Sequence, residues 1–154
     1  MTYAIWGNPL FSPDRHQVRQ FFQYSWRQHC QGGSLSAIES LAAEIIGFHP
    51  EFHALLELPE AELLTREWPP EDGTMNPFLH LSLHLALEEQ LRIDQPPGIR
   101  AVYTHQCRLI GVEHDARHRL MECLGEVVWE SQRHGTPPDP KRYWDLLQSL
   151  TQSP

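Results

Sequence analysis

The chain has 154 residues, the usual size of one compact domain, and its 40% hydrophobic and 10% aromatic content excludes a disordered or fibrous protein. A formal net charge of -8, with basic residues scattered among acidic ones, argues against nucleic acid as a partner. No segment reaches the roughly 20 apolar residues of a membrane span, and the first residues do not resemble a secretion signal. We therefore expect a cytoplasmic protein without a membrane partner, and its oligomeric state stays open.

The residue pattern predicts an all-α fold, a single-domain helical bundle of about six to seven helices with a core lined by His and Glu. An irregular segment over about residues 1–12 comes first. Ser12-Pro13-Asp14 is typical of a helix N-terminus, and Gly32-Gly33 ends this first helix. Ser36 and Glu39 have the spacing of a capping box, which predicts the start of the second helix.

The middle of the chain contains the strongest helix signal. Pro50 predicts a short third helix that continues to about Leu58. The segment 65–75 contains Pro-Pro and Asp-Gly pairs, which predict the main surface loop. Asn76 then begins a helix to about Ile93 that is apolar on nearly every side, so we expect it to be central and buried. Further helices are predicted over about 99–110, 112–134 and from 140 onward.

Histidine is the residue type in clear excess, with ten in the chain. Composition alone predicts roughly 0.6 pairs of histidines four residues apart, whereas the chain has three. Side chains at this spacing lie on one face of a helix, so successive turns can bring two imidazoles to one metal ion. The three pairs are His49 and His53, His80 and His84, and His114 and His118, and the last two pairs continue to Glu88 and Glu122.

These eight side chains predict a metal centre in the helical core. The six histidines are expected as terminal ligands, with Glu88 and Glu122 as bridging carboxylates. Eight ligands suffice for two ions, and we expect two Fe ions, although Zn or Mn also suits imidazole ligands. Glu126, one turn after Glu122, is predicted to accept a hydrogen bond from a ligand histidine. The alternative is that these groups satisfy one another in a buried hydrogen-bond network without metal.

Two resemblances follow from these motifs. The histidine and glutamate pattern resembles non-haem di-iron, hemerythrin-like helical bundles in arrangement, though not in motif order. The runs NPFLHLSLHLALEEQ, from Asn76 to Gln90, and HPEFH, from His49 to His53, resemble an uncharacterised bacterial family of single-domain proteins. This similarity extends from about Asp14 to Asp139. It implies a bacterial origin and brings no assigned activity.

Several functions are compatible with the sequence. The first is a binuclear non-haem iron protein that binds or reduces dioxygen, peroxide or a related small oxidant, so that its partner is a small molecule. The second is a metal-free or zinc-stabilised helical adaptor that binds a protein partner, in which the histidines serve only folding. Metal-dependent hydrolysis is a third possibility. No residue is assigned a catalytic role, so whether the protein is an enzyme stays open.

Overall fold

The computed structural model describes residues 15–69 and 75–152. The described residues form eight α-helices and one short 3-10 helix, with no strand among them, which confirms the all-α prediction. The predicted segment 1–12, the start signal at Ser12-Pro13-Asp14 and the tip of the 65–75 loop lie outside the described residues. The helices are α1 (Arg15–Cys30), α2 (Ala37–Gly47), the 3-10 helix (Pro50–Phe52), α3 (His53–Leu56), α4 (Glu60–Thr65), α5 (Pro77–Ile93), α6 (Ile99–Ile110), α7 (Glu113–His134) and α8 (Pro140–Gln152).

The predicted start signals are present as side-chain hydrogen bonds. At α2, the Ser36 Oγ accepts from the Glu39 N–H at 3.3 Å, and the Glu39 Oε1 accepts from the Ser36 N–H at 2.8 Å. At α5, the Asn76 Oδ1 accepts from the Phe78 N–H at 2.9 Å. These bonds satisfy N–H groups that have no partner within the helix itself. Local sequence therefore specifies where these two helices begin.

The helices form two compact units that divide between Leu85 and Ala86, within α5. We call residues 15–69 and 75–85 the first unit and residues 86–152 the second unit. That the chain forms a single domain stays a prediction. None of the helices in the described residues has the length and apolarity needed to cross a membrane.

The first unit has a continuous apolar core. The four helices α1, α2, α3 and α4 pack around the first half of α5, as the period-3.6 pattern of their apolar residues predicts. Burial of these side chains is the main favourable contribution to the stability of this unit. Five of the largest buried side chains are Phe22, Ile46, Leu56, Leu63 and Leu81, each with 0% exposure.

A polar stripe on α1 completes the first unit. Arg19 is 1% exposed, and its Nη1 donates to the Leu63 and Arg66 carbonyl oxygens at 2.8 Å each. One turn later, the Gln23 Nε2 donates to the Leu58 carbonyl at 2.8 Å. These donors bond to carbonyl groups at and just after the ends of α3 and α4, where the helical hydrogen bonds stop. The sequence analysis did not predict α4, because it has six residues and its end is stabilised from a distant part of the chain.

The second unit joins α6, α7 and α8 to the second half of α5. Tyr143 of α8 and Gln90 of α5 are both fully buried, and the Tyr143 Oη donates to the Gln90 Oε1 at 2.6 Å. Gln106 of α6 is also buried, and its Nε2 donates to the Leu150 carbonyl at 2.9 Å. Buried polar groups are costly unless they are hydrogen-bonded, so these two contacts specify how α8 packs.

Candidate metal centre

His49 lies at the junction between α2 and the 3-10 helix. The residue before a proline is restricted to extended conformations, and His49 accordingly leaves the helical region with φ -127° and ψ 68°. Its N–H donates to the Ile46 carbonyl at 2.9 Å. This turn directs the imidazole into the first unit, where the residue is 2% exposed.

His49 faces two histidines of α5. The Nε2 atoms of His49 and His84 are 3.0 Å apart, and His84 is also 2% exposed. The His80 ring lies edge-on to both, with ring centroids 4.7 Å from His49 and 5.2 Å from His84. Burial of the His49 and His84 imidazoles at one place is costly without compensating contacts. The structure therefore brings together, within the first unit, three histidines that the sequence analysis selected.

The separation of the two Nε2 atoms suits a shared metal ion. Two imidazole nitrogens bound to one tetrahedral ion at about 2.0–2.1 Å are separated by about 3.3 Å. The observed 3.0 Å is also short enough for one ring N–H to donate to the other nitrogen. This separation thus allows an N–H···N hydrogen bond between the two rings in the absence of metal, and it is close to the separation of two nitrogens bound to one metal ion.

Glu51 contacts this site, although the sequence analysis did not select it. Its Oε1 lies 2.8 Å from the His49 Nδ1. Burial opposes the charged form of Glu51, but the hydrogen bond with His49 and the neighbouring His49 and His80 rings hold the pKa of this carboxyl below its ordinary value. The signal in the sequence was the His-Pro-Glu order, because a turn at Pro50 returns the next residue toward His49.

The His53 side chain contacts other groups of the first unit. Its Nε2 lies 2.9 Å from the Ile46 carbonyl oxygen, which can only accept, so this nitrogen carries the proton. The ring also stacks on Trp26, with centroids 4.4 Å apart. The helix breaks at Pro50, so His49 and His53 do not share one regular helical face. The metal-binding role of His53 stays a prediction.

The second unit contains the other predicted pair. His114 and His118 occupy the first two turns of α7, and their ring centroids are 4.2 Å apart. Both are half-buried. The four-residue spacing thus places both rings on one face of α7, as predicted.

Glu88 forms an ion pair with an arginine of the same unit. Its carboxylate contacts the Arg117 Nε, and the Glu88 side chain is 16% exposed. The guanidinium of Arg117 also lies over the Tyr103 ring, 5.1 Å from its centroid. Burial lowers the pKa of Arg117, but the hydrogen bond and the charge of Glu88 outweigh that effect and raise it. Whether Glu88 also bridges metal ions stays a prediction.

The last two predicted carboxylates lie on the outer part of α7. Glu122 is exposed. Glu126 is exposed as well, and its Oε1 accepts from the Arg142 Nη2 at 2.9 Å, where Arg142 also contacts Glu130. Glu126 therefore has a cationic partner from α8. The roles of Glu122 as a ligand and of Glu126 as an acceptor for a ligand histidine stay predictions.

The described helices thus contain histidines that could hold a metal ion. Imidazole nitrogen is a good ligand for borderline transition metals, and it binds them only in its neutral form. Among the described residues, His49 and His84 of the first unit could offer ring nitrogens to such an ion, and so could His114 and His118 of the second unit.

A family model described as Domain of unknown function (DUF1841) matches residues 14–149. Neither a curated protein nor a solved structure matches the chain.

Proposed function

The chain belongs to the family described as Domain of unknown function (DUF1841), a description that names no activity. From this premise we propose a metal-binding function. The match confirms the resemblance to an uncharacterised family. The protein is proposed to bind a transition-metal ion through imidazole nitrogens in its helical core. The observation that carries this proposal is the buried His49 and His84 pair, with Nε2 atoms 3.0 Å apart.

We propose a single ion, with His49 and His84 of the first unit as its ligands. Neutral imidazoles suit an ion such as Zn²⁺ or Fe²⁺. The ligand roles of His114 and His118, which lie in the second unit, stay predictions.

Metal analysis of the purified chain tests this proposal. Protein prepared without chelators is expected to contain one transition-metal ion per chain. His84→Gln should lose most of that metal, because it removes a buried ligand. His134→Gln, at the exposed end of α7, is the matched control and should retain it. Wild-type protein without stoichiometric metal would contradict the proposal and favour the metal-free adaptor.

A binuclear iron centre that handles dioxygen or peroxide remains the finer proposal from the sequence. It needs bridging carboxylates, and Glu88 would have to exchange its contact with Arg117 for a contact with metal. Two Fe ions per chain, together with an absorption band that changes between anaerobic and aerobic protein, would support this centre. One ion per chain, or a metal other than iron, would contradict it and leave the single-ion proposal in place.

A further inference from the structure

We infer that Glu51 is a positioning residue that determines which nitrogen of His49 is offered to the metal ion. The inference rests on the proposed function and adds a residue to it. Both nitrogens of the His49 ring have defined neighbours on opposite sides. The Nδ1 lies 2.8 Å from the Glu51 Oε1, and the Nε2 lies 3.0 Å from the His84 Nε2.

The position of the proton follows from the chemistry of these neighbours. An ionised carboxylate has acceptors only, so the His49 Nδ1 must carry the proton that joins it to Glu51. A neutral imidazole has a single N–H, so the His49 Nε2 then presents its lone pair toward His84. This lone pair is what a metal ion requires, and a carboxylate on the other ring nitrogen increases its basicity.

The packing of the His49 ring does not by itself determine which of its nitrogens carries the proton. His49 stacks on Phe52 with ring centroids 5.3 Å apart and an interplanar angle of 17°. A stacked neighbour defines the plane of an imidazole but not the side on which each nitrogen lies, because a rotation of the ring by half a turn keeps it in the same plane. Only a hydrogen-bond partner distinguishes the two flips and the two tautomers. Glu51 is the partner that makes this distinction for Nδ1.

The local backbone brings the Glu51 carboxylate to the His49 ring without burying it. Proline at the first position starts the 3-10 helix, whose tight turn brings residue 51 back over the side chain of residue 49. The His49 side chain is 3% exposed, whereas that of Glu51 is 57% exposed. The carboxylate therefore keeps most of its hydration while it reaches a buried ring.

Replacement of Glu51 tests the inference through metal affinity and through the tautomer of His49. Glu51→Ala removes the acceptor and is expected to weaken Co²⁺ binding by about 10- to 100-fold. In metal-free protein, long-range ¹H–¹⁵N spectra should show the His49 proton on Nδ1 in the wild type, with this preference lost in the variant. Glu51→Gln keeps a neutral acceptor and should give intermediate Co²⁺ affinity. Circular dichroism should show wild-type helix content for both variants, because Glu51 is exposed.

Glu57→Ala is the matched control, since Glu57 is an exposed carboxylate at the end of α3. It should leave Co²⁺ affinity and the His49 tautomer unchanged. Wild-type Co²⁺ affinity in Glu51→Ala, or a His49 proton on Nε2 in the wild type, would overturn the role of Glu51 alone. A wild-type chain that takes up no Co²⁺ would contradict the proposed function itself.

Discussion

Arg19 shows how a single charged residue organises the first unit. Its Nη1 contacts the Leu63 and Arg66 carbonyls, and the guanidinium lies 5.1 Å from the centroid of the Trp68 ring. Guanidinium is weakly hydrated, planar and rich in donors, so it tolerates burial better than an ammonium group does. The residue thereby links α1 to the end of α4 and to the segment that follows it.

Replacement of Arg19 by Met should destabilise the protein strongly. The variant keeps an unbranched side chain but removes the donor that the Leu63 and Arg66 carbonyls share, at roughly 1–3 kcal/mol for each polar group left unsatisfied. The expected loss in free energy of unfolding is at least about 3 kcal/mol, measured by urea denaturation. Arg15→Met, one turn earlier, removes only the exposed ion pair with Glu67 and should have a much smaller effect. Equal losses in the two variants would contradict this role for Arg19.

At the scale of elements, the junctions between helices are specified by turn residues and by what packs on them. Gly98 precedes α6 with φ +98°, and Gly111 follows it with φ +81°. Both lie in the left-handed region, where a side chain is strained. Only Gly98 is also crowded, because a Cβ there would lie 2.8 Å from the Trp144 Cη2 of α8.

The two glycines therefore allow strain and crowding to be separated. Gly111→Ala should lose about 1–2 kcal/mol from the left-handed conformation alone, since nothing lies within 4 Å of the added Cβ. Gly98→Ala should lose this amount and roughly 1–3 kcal/mol more, because Trp144 must move. Thermal or urea unfolding of both variants checks the difference. Equal losses would show that Trp144 can move without cost.

The stability of the whole molecule should depend on pH in the alkaline range. Cys123 of α7 is 7% exposed. Burial, followed by the charges of Glu122 and Glu126, raises the pKa of its thiol to about 11. In the unfolded chain the thiol ionises near its ordinary pKa of about 8.5. Between these values the folded protein binds more protons than the unfolded chain, so the free energy of unfolding falls as the pH rises.

The contribution of Cys123 is isolated by a comparison with Cys123→Ala. Wild-type protein is expected to lose more stability than the variant between pH 8 and about pH 11. The measurement is urea denaturation across this range, with the difference between the two proteins taken at each pH. Burial, and then the charge of the Cys123 thiolate, also raises the pKa of Tyr143, so the difference contains both the titration of Cys123 and its effect on Tyr143. Parallel pH profiles would contradict the effect of Cys123.

The sequence by itself determined the helical class, the start signals at Ser36 and Asn76, and the histidine spacing. These features depend on interactions between residues a few positions apart, which the order of residues specifies directly. It also selected His49, His80 and His84, because each of them has another histidine four residues away in the sequence.

Only the tertiary structure decided what each of these side chains contacts. The His53 ring contacts the Ile46 carbonyl and stacks on Trp26. Glu88 pairs with Arg117, and Glu51 contacts the His49 ring. The helix α4 likewise depends on Arg19, 44 residues before Leu63. The physical reason is that spacing determines the face on which a side chain lies, whereas its hydrogen-bond partner is chosen by competition among groups that meet only after folding.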